Sequence, residues 1–127
     1  MENATLIVLL ALLQFTWFTM RVGMARGKYN IDAPACGGDE NFERVFRVQQ
    51  NTMEQLIVLI PASYAFAYYL SEVWVVIPGA VFIIGRILYS AEYLKDPKSR
   101  GPGMGLTMLA NVVLILGALF GLLKGMF

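Results

Sequence analysis

Residues 101 to 123 read GPGMGLTMLANVVLILGALFGLL, a run from Gly101 to Leu123 without a charged side chain. A helix rises about 1.5 Å per residue and a bilayer's hydrocarbon is about 30 Å thick, so about 20 apolar residues cross it. The run therefore predicts a membrane-spanning helix. Towards the N-terminus three more segments read the same way. Val73 to about Tyr93 is interrupted by Arg86, and Gln55 to Leu70 is uncharged and gains length by extending back towards Arg44. Ala4 to Met20 carries no charge either. Composition agrees. The 127 residues are 57% apolar and 15% charged, against about 45–50% and about 25% in soluble domains, and mean hydropathy is +0.60. The expectation is an all-α membrane protein, a four-transmembrane-helix bundle forming a single domain over residues 1–127.

The charges between these segments orient them. Arg21, Arg26, Lys28, Arg44 and Arg47 fall in or beside the first connection, and Lys95, Lys98 and Arg100 in the third. On the opposite side stands only Lys124. By the positive-inside tendency the first and third connections face the cytoplasm and both termini lie outside. The first segment follows Met1-Glu2-Asn3 and precedes its basic residues, the reverse of a cleaved signal peptide, so it reads as a span. Within the first connection, Asp32-Ala33-Pro34 and Gly37-Gly38-Asp39 are turn-forming. Asp39, Glu40 and Glu43 suit the positive end of a helix dipole, so helix two is expected to start near Asn41. Ser71-Glu72 is a short link that makes helices two and three an antiparallel hairpin, with Trp74, Tyr64, Tyr68 and Tyr69 as an interfacial belt. Pro61 is expected to interrupt the backbone bonding of helix two.

Several chemistries are removed by composition. A single cysteine, Cys36, permits no internal disulfide, and the absence of histidine excludes histidine acid–base catalysis and histidine metal sites. A net charge of +1 argues against a nucleic-acid partner. What remains is a set of polar residues in costly places, since a charge within a membrane helix is worth about 2.5–3.5 kcal/mol on insertion scales. Arg47, Asn51 and Glu54 recur at offsets of four and three on one face of helix two, with Gln49 and Gln50 pointing elsewhere. Arg86, Tyr89 and Tyr93 repeat the pattern on helix three. Two such stripes on antiparallel partners meet at one depth and suit a small zwitterion, because a guanidinium grips a carboxylate and Glu54 can take an ammonium. The plainer reading is that Arg47, Glu54 and Arg86 pair with one another and hold the helices together. Composition leaves both open.

The run Asn41-Phe42-Glu43-Arg44-Val45-Phe46-Arg47-Val48-Gln49-Gln50-Asn51-Thr52-Met53-Glu54 resembles the helix-two signature of the MAPEG family, the membrane-associated proteins of eicosanoid and glutathione metabolism. Gly85 to Tyr93 is similar to the family's helix three, and Pro97-Lys98-Ser99-Arg100-Gly101 to the loop that carries its thiol-activating arginine. Order, spacing and layout agree over nearly the whole chain. The resemblance implies a homotrimer that binds glutathione between subunits, facing the cytoplasm, with no metal. It implies glutathione contacts from Arg47, Asn51, Glu54, Arg86, Tyr89 and Tyr93, with Arg26 and Gln49 supplied by the adjacent subunit. Arg100 matches the arginine that stabilises the glutathione thiolate. A cation near a thiol lowers its pKa, whereas composition alone reads Arg100 as one more positive-inside charge.

The implied activity is a glutathione transferase, with possible peroxidase activity, acting on a lipophilic electrophile or lipid hydroperoxide that arrives through the membrane lipid. Gln55 departs from the tyrosine of leukotriene C synthase at that place, which weakens the case for that particular reaction. A non-catalytic lipid-binding or lipid-presenting member is the alternative, and the intact set of glutathione-binding charges speaks against it. A four-span drug/proton antiporter would rest on a carboxylate in helix one, where this chain has none between Ala4 and Met20. Arg44 and Asn111 are expected to be structural, Cys36 unreactive, and the Gly101–Gly105 cluster to shape and loosen the entry to helix four.

Overall fold

Asp39 decides where the second helix begins, its carboxylate accepting hydrogen bonds from the backbone N–H groups of Asn41 and Phe42. The computed structural model describes residues 1–96 and 101–127. It contains α1 (Glu2–Tyr29), α2 (Glu40–Tyr69), α3 (Val76–Lys95) and α4 (Gly101–Met126). α1, α3 and α4 are each long and apolar enough to cross a membrane. α2 has 30 residues, enough for about 45 Å, but its first half carries Glu40, Glu43, Arg44, Arg47 and Glu54. The chain is an all-α membrane bundle. α2 runs through Pro61 without a break.

Two boundaries differ from the sequence expectation. The first helix does not stop near Met20 but continues to Tyr29, so Arg21, Arg26 and Lys28 are helical and the first connection shrinks to residues 30–39. Hydropathy marks where a helix leaves the hydrocarbon, not where it stops. Here it stops at Asn30, whose left-handed backbone (φ 57°) directs its N–H back to the carbonyl of Arg26, a conformation that asparagine tolerates better than most residues. Arg26 and Lys28 in the last turn complement the negative end of the dipole. The second boundary is α3, which starts at Val76 rather than Val73, because Ser71 Oγ accepts from the Trp74 N–H within a turn between the helices.

α1 and α3 run parallel at a constant register. The Asn3 backbone N–H donates to Glu72 (2.6 Å), the Gln14 amide to the Ile83 carbonyl (3.1 Å) and Arg21 to Ser90 Oγ (3.1 Å), each pair 69 residues apart. α3 packs most extensively against α4, and the approach is close at Gly103. A Cβ there would collide with the backbone nitrogen of Tyr89, so only glycine lets the two helices meet. α2 and α4 are tied by Asn111, which donates to Gln55 Oε1 (3.0 Å), the interhelical role expected of it. Between the four helices lies a core that includes Ala4, Ala11, Leu59, Phe82 and Leu114, all fully covered. Outside, Leu13, Trp17, Ile84, Leu116 and Phe120 are exposed. An apolar exterior of this extent suits hydrocarbon, not water.

Candidate functional site

Near the end of the bundle where the basic residues of α1 gather, α2 and α3 bring one polar pair inside. Arg86 is completely buried and donates through Nη1 to Asn51 Oδ1 at 2.7 Å. Its guanidinium lies 4.2 Å from the centroid of the Tyr89 ring, a cation–π contact that strengthens with desolvation. Arg86 Nε and Nη2 have no hydrogen-bond partner among the described residues. A guanidinium has only donors. The atom of Asn51 that faces Arg86 is therefore its carbonyl oxygen, and its NH2 group is left for a different acceptor.

Arg47 and Glu54 flank Asn51 on the outer side of α2. They pair with each other at 3.8 Å, and both side chains are about half exposed (51% and 52%). The three residues share a broad stripe, as the offsets predict, but Asn51 sits at its buried border. Arg86 pairs with neither Arg47 nor Glu54, so the reading in which all three ions bind only one another does not hold. An ion pair this long and this exposed contributes about 0–1 kcal/mol. Each partner can exchange the other for a ligand group at little cost.

Tyr89 and Tyr93 stack along α3, with centroids 5.5 Å apart and an interplanar angle of 11°. Tyr89 is buried in a cluster with Phe18 and Val48, against which Tyr93, Leu94 and Met104 pack. Tyr93 is the more open of the two rings. Gln49 leaves this group, donating to Thr19 Oγ1 on α1 (3.2 Å). Arg26 donates to the Ala35 carbonyl (2.8 Å) and lies over the Phe42 ring. Both are thus held on the α1/α2 face, apart from the Arg86–Asn51 pair. Arg100 lies outside the described residues. Arg44 pairs with Glu40 at 2.7 Å, and Cys36 is exposed in the first connection.

Sequence reasoning did not single out Arg21, Ser90 or Gln14. The signal was present as the common spacing of 69 residues, but a spacing between two helices becomes legible only once their packing is known. Among the described residues there is no cluster of three or more Cys, Asp or Glu side chains that could hold a metal ion. What the arrangement offers is a half-open cation and a half-open anion, each about one turn from a buried amide whose oxygen is fixed, beside a phenolic wall.

The family model described as MAPEG matches residues 4–120. An uncharacterized protein of Synechocystis is 42% identical over 118 residues, covering 93% of this chain and 86% of its own length. Human microsomal glutathione S-transferase 2 is 37% identical over 112 residues, covering 87% of this chain and 76% of its own. Leukotriene C4 synthase of Rattus norvegicus is 28% identical over 117 residues, covering 92% and 78% respectively.

Proposed function

Because the chain belongs to the MAPEG family, we propose that it is a membrane-bound glutathione transferase whose arginine-activated thiolate adds to lipophilic electrophiles. The observation that carries this reading is the half-open Arg47–Glu54 pair on either side of Asn51, whose amide Arg86 holds in one orientation. Glutathione is a zwitterion with two carboxylates, one ammonium and two amides. Arg47 takes a carboxylate, Glu54 takes the ammonium, and the Asn51 NH2 donates to a carbonyl or carboxylate oxygen between them. Tyr93 closes the wall, with Tyr89 packed behind it. Arg86 acts through Asn51 and Tyr89.

Arg26 and Gln49 serve the site of a neighbouring subunit in a homotrimer, and the α1/α2 face on which they sit supports that role. Arg100 supplies the chemistry. A thiol of pKa about 8.5 is mostly protonated at neutral pH, and an adjacent guanidinium that cannot lose its own proton raises the thiolate fraction. The thiol proton leaves to solvent and the sulfur forms a bond to the electrophilic carbon. Either a leaving group departs with its electron pair, or an opened epoxide oxygen or a saturated enone takes up a proton. With a lipid hydroperoxide, two glutathiones would give an alcohol, water and glutathione disulfide. The site faces the cytoplasm, where the basic ends of α1 and the third connection belong by the positive-inside tendency.

The test is ultraviolet difference absorbance on adding glutathione to the purified protein, with Arg100→Ala alongside. A thiolate band is expected in the wild type and not in the variant, with binding largely retained. A variant that keeps full conjugating turnover would refute the role given to Arg100.

A further inference from the structure

We propose that the groove between α1 and α3 is a binding site for one acyl chain of an anionic phospholipid, whose phosphate is held by Arg21. The groove encloses about 570 Å³ and is lined by Leu10, Leu13, Trp17, Ile83, Ile87 and Leu94. Arg21 and Ser90 lie at one end. From Leu10 to Arg21 on one wall, and from Ile83 to Leu94 on the other, the length is about 16 Å at 1.5 Å per residue. That is about half of a 30 Å hydrocarbon layer. The groove therefore has the length of one leaflet, with its cation where a headgroup begins.

The charge at that end is unspent. Arg21 donates to the neutral Ser90 hydroxyl and is in none of the ion pairs among the described residues. Lys28, one and a half to two turns further on, lies over the Tyr29 ring rather than against a carboxylate. A second hollow of about 330 Å³, lined in part by Arg21, Lys28, Tyr29 and Asn41, continues from the first and gives the headgroup room. The parallel register keeps the groove from closing. Gln14–Ile83 and Arg21–Ser90 pin the helices at two levels, and the apolar walls between them stand open. A phosphodiester accepts from both a guanidinium and a hydroxyl, whereas a zwitterionic headgroup brings its own cation into repulsion with Arg21 and Lys28. By the positive-inside tendency this end also faces the leaflet richest in anionic lipid. None of this depends on glutathione chemistry.

Trp17 lines the groove and reports on it, and Trp74 is the other tryptophan of the chain. The experiment uses the full chain carrying Trp74→Phe, reconstituted in dioleoyl-phosphatidylcholine vesicles. Trp17 fluorescence is titrated with chain-brominated phosphatidylglycerol or with chain-brominated phosphatidylcholine. Phosphatidylglycerol is expected to reach half-quenching at about fivefold lower mole fraction, the size of one cation's effect near a membrane surface. The preference should vanish in Arg21→Gln, persist in Arg21→Lys, and persist in Lys95→Gln, which removes an equal charge outside the groove. Equal quenching by the two lipids in the unsubstituted protein overturns the proposal without recourse to any variant. So does equal loss in Arg21→Gln and Lys95→Gln, which would mean a diffuse field rather than a site. Absence of quenching by either lipid would mean that another chain covers the groove, and overturns it as well.

Discussion

Asn51 has two ends with two uses, the carbonyl fixed by Arg86 and the amide nitrogen left for the glutathione that we propose Arg47 and Glu54 bind. Asn51→Asp separates the two. Its carboxylate keeps the contact with Arg86 and adds a charge to it, while the donor towards the ligand is lost. We expect the thermal midpoint to hold or rise in differential scanning fluorimetry. Glutathione affinity by calorimetry should fall by about 1.5–3 kcal/mol, the worth of a hydrogen bond to a charged group. Unchanged affinity would remove Asn51 from the binding site, and a joint fall of midpoint and affinity would make its role structural. The sequence placed Arg86 correctly in a stripe with Tyr89 and Tyr93. It could not show that Arg86 is buried while Arg47 is half exposed, because an offset of three or four residues gives a face and not a depth.

Helix contact accounts for one of the three glycines that open α4. The sequence suggested that Gly101, Gly103 and Gly105 loosen this segment together. In the structure Gly101 and Gly105 face open space, whereas Gly103 is where α4 meets the backbone of Tyr89. Gly103→Ala is accordingly expected to cost about 1–3 kcal/mol through overpacking and to disturb the phenolic wall. Gly105→Ala should gain up to about 1 kcal/mol of helix propensity. Chemical denaturation of the two variants checks this, and similar midpoints would contradict the close contact. Existence and order of the four helices were legible from apolar runs, the acidic start of α2 at Asp39 and the charge-free stretch from Gly101 to Leu123. The end of α1 was not. Residues 21–29 are polar enough to leave the membrane yet good enough helix formers to continue, so a hydropathy rule ends the element early.

The whole molecule presents apolar side chains on most of its exterior, with the proposed glutathione residues divided between two faces. If Arg26 serves a neighbouring site while Arg100 serves its own, two inactive variants should complement each other. Co-expressed Arg26→Ala and Arg100→Ala chains are expected to regain conjugating activity, with about one site in four intact on random mixing in a closed homo-oligomer. Activity no higher than the sum of the separate variants would place both arginines in one subunit's site. That division of labour was available only through the family resemblance, since no spacing within one chain reveals which residues act across a boundary. The shared register of α1 and α3 also restricts how the gene can change. The ties on α1 stand at residues 3, 14 and 21, so losing one residue between them would turn the rest of the helix by about 100° and break every later tie. Length variation among descendants of this sequence should therefore collect in residues 30–38 and beyond the helix ends, and be absent from α1 unless α3 changes with it.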